Sequence, residues 1–305
     1  CFVPASFEIL GLMILAPIFL HLDILNAAIL GTVLAAVSPA VVVPLMLKLM
    51  DEGYGAKEGI PQLIMAGASM DDVYVIVLFT SLLTLAKSGE FNALSLLRIP
   101  TSILFGIISG IVIGYVLCKF YRLLRLSTGI ELASMFAIGM VLITIERMMT
   151  GVVGFSGLLA IMALTATIRH IKPEMADKYS AVLAKLWQPA EIFLFALVGA
   201  SVRIDYALSF GPVVLVVIIL ALLFRMVGVY LSVMKTKFNS KEKIFTMIAY
   251  IPKATVQAAI GGLALEAGLA SGELILTAAV TAILVTAPLG AIFISLTYRN
   301  FLQKA

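Results

Sequence analysis

The sequence predicts an all-α polytopic membrane protein, and three observations carry that expectation. Of the 305 residues, 62% are hydrophobic and only 12% charged, against about 25% charged in soluble chains, and the mean hydropathy is +1.14. The apolar residues fall in runs of the length that a bilayer-spanning helix needs, roughly 20 residues. No ten-residue alternation of apolar and polar positions points to a transmembrane β-barrel.

Ten apolar stretches are expected to span, at 6–21, 25–49, 60–86, 97–119, 131–149, 155–169, 187–202, 207–234, 244–266 and 273–298. With that count the basic residues divide unevenly between the two sides. Only Lys87, Arg98, Arg147 and Arg203 fall on one side, Arg225 and Lys253 lie within stretches, and the rest share the other side with the C-terminus. The positive-inside rule makes that side cytoplasmic. Between the sixth and seventh stretches, 172–186 is polar with apolar residues at near-helical spacing and predicts an interfacial connecting helix. Cys1 and Cys118 imply no disulfide framework. The formal charge of +4 sits in loops flanking the membrane, so it implies no nucleic-acid partner. The chain opens on Cys1 rather than Met, and an upstream segment is expected.

Within this apolar background the third stretch holds two adjacent acids, Asp71 and Asp72. A charge at the bilayer centre costs about 2.5–3.5 kcal/mol on insertion scales, and such residues line ion or proton pathways. A carboxylate there can hold either a proton or a cation, which is the requirement for coupled exchange. Adjacent residues on a helix project about 100° apart, so one acid can face an ion and the other a partner charge.

The second stretch contains AAVSPAVVVP at 35–44, and Ser38-Pro39 within it reads either as a tolerated kink or as a break exposing carbonyls at mid-membrane. The ninth contains IPKATVQAAIGG at 251–262, where Lys253 lies too deep to snorkel easily. A break at Pro252 would mirror the first, with Lys253 neutralising half-helix carbonyls; the plainer alternative is an interhelical ion pair. In the eighth stretch Arg225 requires an acid, and the candidates are Glu8, Glu191 and one of the aspartates. Glu8 lies near the start of the first stretch and reads as interfacial, and Glu191 as a membrane-edge residue. The absence of a Walker A sequence argues against ATP-driven pumping. Adjacent acids diverging on one helix do not make an intramembrane aspartyl protease.

The motifs VSPAVVVP at 37–44, GYGAKEGIP at 53–61, SMDDV at 69–73 and PKATVQAAIG at 252–261 resemble, in order and spacing, those of the cation/proton antiporter superfamily, in particular the NHA-type sodium/proton antiporters of bacteria and animals. The likeness runs from Glu8 to the C-terminus. It implies an inverted-repeat fold with two crossed discontinuous helices, lacking two or three N-terminal helices. It implies a transport core from 1–86 and 207–305, and linking and dimerisation helices in 87–206. It marks Asp72 as the ion-binding aspartate, Asp71 as its neighbour, Ser38 and Thr255 as lesser contributors, Arg225 as the intramembrane base and Glu8 as its partner. The Asp-Asp pair is typical of electrogenic members and the Arg-Glu pair of electroneutral ones, so stoichiometry stays open.

The reading that follows is a secondary transporter, not an enzyme, exchanging Na⁺ or Li⁺ for H⁺ by alternating access. Asp71 and Asp72 would be the competing cation and proton site and Arg225, Glu8 and Lys253 the compensating charges. No cofactor is expected. The partners are a monovalent cation, the proton, the lipid bilayer and a second copy in a homodimer, in a bacterial inner or plasma membrane with the C-terminus cytoplasmic. A K⁺/H⁺ antiporter and a sodium-coupled solute symporter of similar fold are the alternatives.

Overall fold

The computed structural model describes residues 2–88, 93–124, 126–149, 154–200 and 204–304. Among these residues every regular element is helical: α1 Phe2–Leu20, α2 Ile24–Leu34, α3 Pro39–Asp51, α4 Ile60–Ser88, α5 Ala93–Leu124, α6 Thr128–Met149, α7 Gly157–Ile171, α8 Pro173–Ala200, α9 Ile204–Val233, α10 Ser240–Ala249, α11 Thr255–Gly261, α12 Leu263–Glu266 and α13 Gly272–Phe301. Seven stretches are long and apolar enough to cross a membrane: Phe2–Leu20, Ile24–Asp51, Ile60–Lys87, Leu104–Leu124, Thr128–Glu146, Ser209–Val233 and Gly272–Phe301. The protein is therefore an integral, multi-pass membrane protein.

The other three of the ten expected spans take different forms. The stretch at 155–169 is the short apolar helix α7, and 244–266 is divided among α10, α11 and α12. The predicted interfacial helix at 172–186 and the predicted span at 187–202 run together as α8, which carries Pro189 inside it. A proline forfeits one backbone bond and strains the preceding turn, yet neighbouring groups and local adjustment often compensate in membrane helices.

The chain forms two compact units, Cys1–Lys87 with Leu194–Ala305 and, separately, Ser88–Phe193. In the first unit α2 is buried on all sides from Ala27 to Leu34. Asp23 caps its start: the Asn26 backbone N–H donates to Oδ1 at 3.0 Å and holds this carboxyl below the ordinary aspartate range. α1 lies along α9, with Gly11 against the Phe224 ring and Gly228 against Pro4 and Phe7.

Pro39 accounts for the interruption between α2 and α3. It stands at the first turn of α3, where its missing N–H costs nothing, and it pushes Ser38 out of the helical region to φ −81°, ψ 111°. Pro252 lies in the second interruption, Tyr250 to Ala254, between α10 and α11. The two breaks meet, because the Ser38 N–H donates to the Pro252 carbonyl at 2.8 Å. Behind them Gly290 of α13 lies under the Pro252 ring, where a Cβ would stand 2.8 Å from Cδ. The predicted pair of crossed discontinuous helices is thus present.

At the far end of α3 the loop to α4 turns through Gly53, Gly55 and Gly59, all with positive φ. Gly55 needs that freedom most: its N–H donates to the Gln303 carbonyl at 2.8 Å while Leu302 packs against it. Tyr298 Oη also donates to Glu52 Oε2 at 2.9 Å, so the end of α13 is fastened to this loop.

In the second unit α5 and α7 pack at backbone distance through Gly106, Gly110 and Gly114, spaced four apart on one face of α5. These glycines face the Ser156, Ala160 and Leu164 carbonyls in turn. Glu131 at the start of α6 is buried and accepts from Tyr179 Oη at 2.8 Å.

This packing makes Gly110→Ala costly. Its Cβ would collide with the Ala160 carbonyl and stand 2.7 Å from Ala163 Cβ, and backbone cannot swing aside as a side chain does. Overpacking of this kind costs about 1–3 kcal/mol. Melting in detergent should show a clear fall in Tm for Gly110→Ala and none for Gly129→Ala, where nothing stands within 4 Å.

Candidate functional site

The site is assembled where the two helix breaks meet inside the first unit. α2 stops at Leu34 and leaves its last carbonyls without helical partners. The carbonyls of Leu34, Ala35 and Ala36 are each taken by a side chain from the second half of the chain. Lys253 Nζ donates to Leu34 O at 2.5 Å, Arg225 Nη1 to Ala35 O, and Gln257 Nε2 to Ala36 O at 2.9 Å. Two of these donors are cations at the negative end of a helix dipole.

Arg225 is 1% exposed and uses its whole guanidinium fork. Nε donates to the Tyr250 carbonyl at 3.0 Å, Nη1 to Glu8 Oε2 at 2.8 Å, and Nη2 to Asp71 Oδ2. It joins α1, α2, α4 and the end of α10 at one point. Asp71 also accepts from the Val37 N–H at 3.3 Å, within the first break. Lys253 is fully buried, with Nζ 2.7 Å from Glu8 Oε1, and its own N–H donates to Thr286 Oγ1 at 3.0 Å. Glu8 therefore binds both cations.

Five of the seven residues singled out in the sequence, Glu8, Ser38, Asp71, Arg225 and Lys253, are buried at this crossing, and Asp72 stands beside Asp71, half-buried. Thr255 opens α11, half-buried, two residues before Gln257. One expectation is corrected: Glu8 is not interfacial but fully buried, because α1 runs from Phe2 and carries it past the first turn toward Arg225. Of the three acids weighed for Arg225, Glu8 and Asp71 both bind it; the side chain of Glu191 lies outside the described residues. Lys253 unites its two readings, binding both a half-helix carbonyl and an acid.

Gln257 and Tyr250 belong to the crossing too. The polar Gln257 in an apolar ninth stretch was a signal of its own; the Tyr250 carbonyl left none, since backbone acceptors are invisible in a sequence.

Five buried oxygens at these residues have no hydrogen-bond partner among the described residues; Glu8 Oε1 has the Lys253 ion pair instead, which leaves Asp71 Oδ1, Asp72 Oδ1, Ser38 Oγ and Gln257 Oε1. A buried polar atom left unpaired costs about 1–3 kcal/mol, and such atoms mark places where function outweighs stability. Carboxylate, hydroxyl and amide oxygens are the donors a hard cation prefers. No group of three or more His, Cys, Asp or Glu able to hold a metal occurs among the described residues.

Because Arg225 serves two carboxylates and two carbonyls, its removal strands buried charge. Breaking a buried pair costs about 3–5 kcal/mol. Arg225→Ala should lower the Tm in detergent by far more than Arg299→Ala, an exposed arginine at the end of α13.

The sequence and fold have recognisable relatives. The model of the family described as "Sodium/hydrogen exchanger, transmembrane" matches residues 2–299. Human sodium/hydrogen exchanger 9B2 is 35% identical over 289 residues, covering 90% of this chain and 53% of its own length. Human sodium/hydrogen exchanger 9B1 is 36% identical over 291 residues, covering 91% of this chain and 55% of its own. The chain therefore spans about half the length of the curated relatives it matches. The solved structure of the sodium proton antiporter MjNhaP1 from Methanocaldococcus jannaschii superposes with a TM-score of 0.85 at 17% identity, over 98% of this chain and 77% of that one. That likeness establishes the fold. With the family match running almost end to end, the chain belongs to the transmembrane sodium/hydrogen exchanger family.

Proposed function

We propose that the protein exchanges Na⁺, or Li⁺, for H⁺ across a membrane by alternating access, with Asp72 as the carboxylate that carries either cargo. One observation carries this reading. Arg225 engages Asp71, while Asp72 Oδ1 is buried with no hydrogen-bond partner among the described residues. Proton and cation compete for that oxygen, with Asp71 Oδ1, Ser38 Oγ and Gln257 Oε1 as further donors and Thr255 at the margin.

The charge balance supports a stoichiometry. Glu8 and Asp71 pair with Arg225 and Lys253, and Asp72 stands next to Asp71 on α4, three acids against two bases. With all five ionised the crossing carries a single net negative charge, which one cation or one proton cancels. The reading is therefore one for one, and electrically silent.

The first unit would be the moving core and the second the scaffold through which two copies pair. The uneven basic residues support a cytoplasmic C-terminus. The names of the relatives and the oxygen-only donor set support this cargo over an organic solute; a K⁺ gradient is the control for ion identity.

The test is proton movement in proteoliposomes with an entrapped pH dye, driven by a sodium step. Wild type should move protons and Asp72→Asn should not, although it inserts and melts as wild type does. Rates should be the same with the membrane potential clamped or free. Turnover retained by Asp72→Asn would overturn the site; a rate that tracks voltage would overturn the stoichiometry.

A further inference from the structure

We propose that Tyr250 is a positioning residue that holds the Arg225 guanidinium on Asp71, and that Gly67 is the notch in α4 that admits its ring. The inference rests on Asp72 being the exchanging carboxylate, and says what keeps Asp71 out of that role.

Tyr250 caps the end of α10 and is 4% exposed. It grips Arg225 twice. Its carbonyl accepts from Nε at 3.0 Å, and its ring face lies 5.4 Å from the guanidinium carbon. A guanidinium over an aromatic face is attracted by the ring quadrupole, more strongly where water is excluded. With Nε held and one face covered, Nη2 stays directed at Asp71 Oδ2.

The far end of the ring depends on α4. A Cβ at Gly67 would overlap Tyr250 Oη and stand 3.1 Å from Cζ. Gly67 lies four residues before Asp71, on the same helix face one turn away. Alanine is the better helix former in such a run, so glycine here answers to the phenol. One helix thus carries both the acid that Arg225 binds and the space for the residue that aims Arg225.

If the ring is displaced, the guanidinium loses the cover on one face and is aimed only by its hydrogen bonds to Glu8 from α1, Asp71 from α4 and the Ala35 and Tyr250 carbonyls, with Asp72 and Lys253 the other charges beside it. Asp71 then loses part of its compensation, and holding two ionised acids side by side becomes harder. Protons compete better against the cation. The expected signature is a higher KM for Na⁺ and a half-maximal rate displaced to more alkaline pH, with the rate at saturating Na⁺ and high pH retained.

The experiment measures sodium KM and the pH profile of exchange in proteoliposomes for wild type, Tyr250→Leu, Gly67→Ala and the double variant Gly67→Ala/Tyr250→Phe. Each protein is first checked for a cooperative melt in detergent. Tyr250→Leu and Gly67→Ala should raise KM on the order of tenfold at fixed pH and move the profile by about one unit, the same factor in competition. The double variant should recover most of both, since phenylalanine keeps the ring and lacks the oxygen that meets the new Cβ. Unchanged KM and profile in Tyr250→Leu would overturn the inference, as would a fall in maximal rate alone or a double variant no better than Gly67→Ala. Should Gly67→Ala not fold, Tyr250→Leu decides by itself. A wild type that moves no protons would overturn the exchange reading, and this inference with it; an active wild type with unaltered variants would overturn this one only.

Discussion

The burial of Arg225 is the constraint on which the first unit depends. A guanidinium stays charged in any protein environment, and here it has no water to turn to. It must be met by acceptors from every side, and those acceptors come from four places in the chain: Glu8, Ala35, Asp71 and Tyr250. Two are carboxylates within continuous helices, α1 and α4, and two are carbonyls at helix ends. Ala35 and Tyr250 are the caps where α2 and α10 stop. Two interrupted helices could not be left with their carbonyls free in an apolar medium, where each unpaired backbone group costs several kcal/mol. The cation makes the interruptions tolerable, and the interruptions supply the acceptors that make the cation tolerable.

The two units hold their helices together by different physics. In lipid there is little hydrophobic drive between helices, so close packing of small residues and polar contacts must serve. The second unit uses the first means, with Gly106, Gly110 and Gly114 bringing α5 onto the α7 backbone. The first unit adds the second means at its centre, with Lys253, Arg225 and Gln257 reaching across to carbonyls of α2. Polar contacts have direction where glycine packing has only fit. They place the oxygens of Asp71, Ser38 and Gln257 at the crossing itself, and a cation site needs directional placement of that kind.

Much of this was legible in the sequence, and for identifiable reasons. A charged residue in an apolar run is conspicuous, so Asp71, Asp72, Lys253 and Arg225 stood out at once. A proline in such a run has a definite consequence, so both breaks were readable from Pro39 and Pro252. Pairing was less legible, because it depends on which helices are neighbours. Arg225 had three candidate acids and took two; Glu8 looked interfacial because distance along a helix says nothing of what covers it. The carbonyls of Leu34, Ala35 and Tyr250 could not be named, since every residue has one. Residues 172–202 show the converse limit: a change from polar to apolar composition suggested an interfacial helix and a separate span, yet α8 runs through both with Pro189 inside it.

The adjacency of Asp71 and Asp72 makes sense only against the single fixed cation beside it. Two acids about 100° apart on one helix cannot both face Arg225, so the helix itself assigns them different partners. The one turned to Arg225 is neutralised in place. The other has an oxygen, Oδ1, buried with no hydrogen-bond partner among the described residues, and a carboxylate so placed gains most from a proton or a cation. On the proposed exchange reading, a second uncompensated acid would make the ion-free crossing too costly to return across the membrane, and full compensation would leave nothing to bind. A surplus of one carboxylate over the buried bases sits between those failures. That surplus, more than the presence of any one residue, is what a proton and a sodium ion would compete to remove.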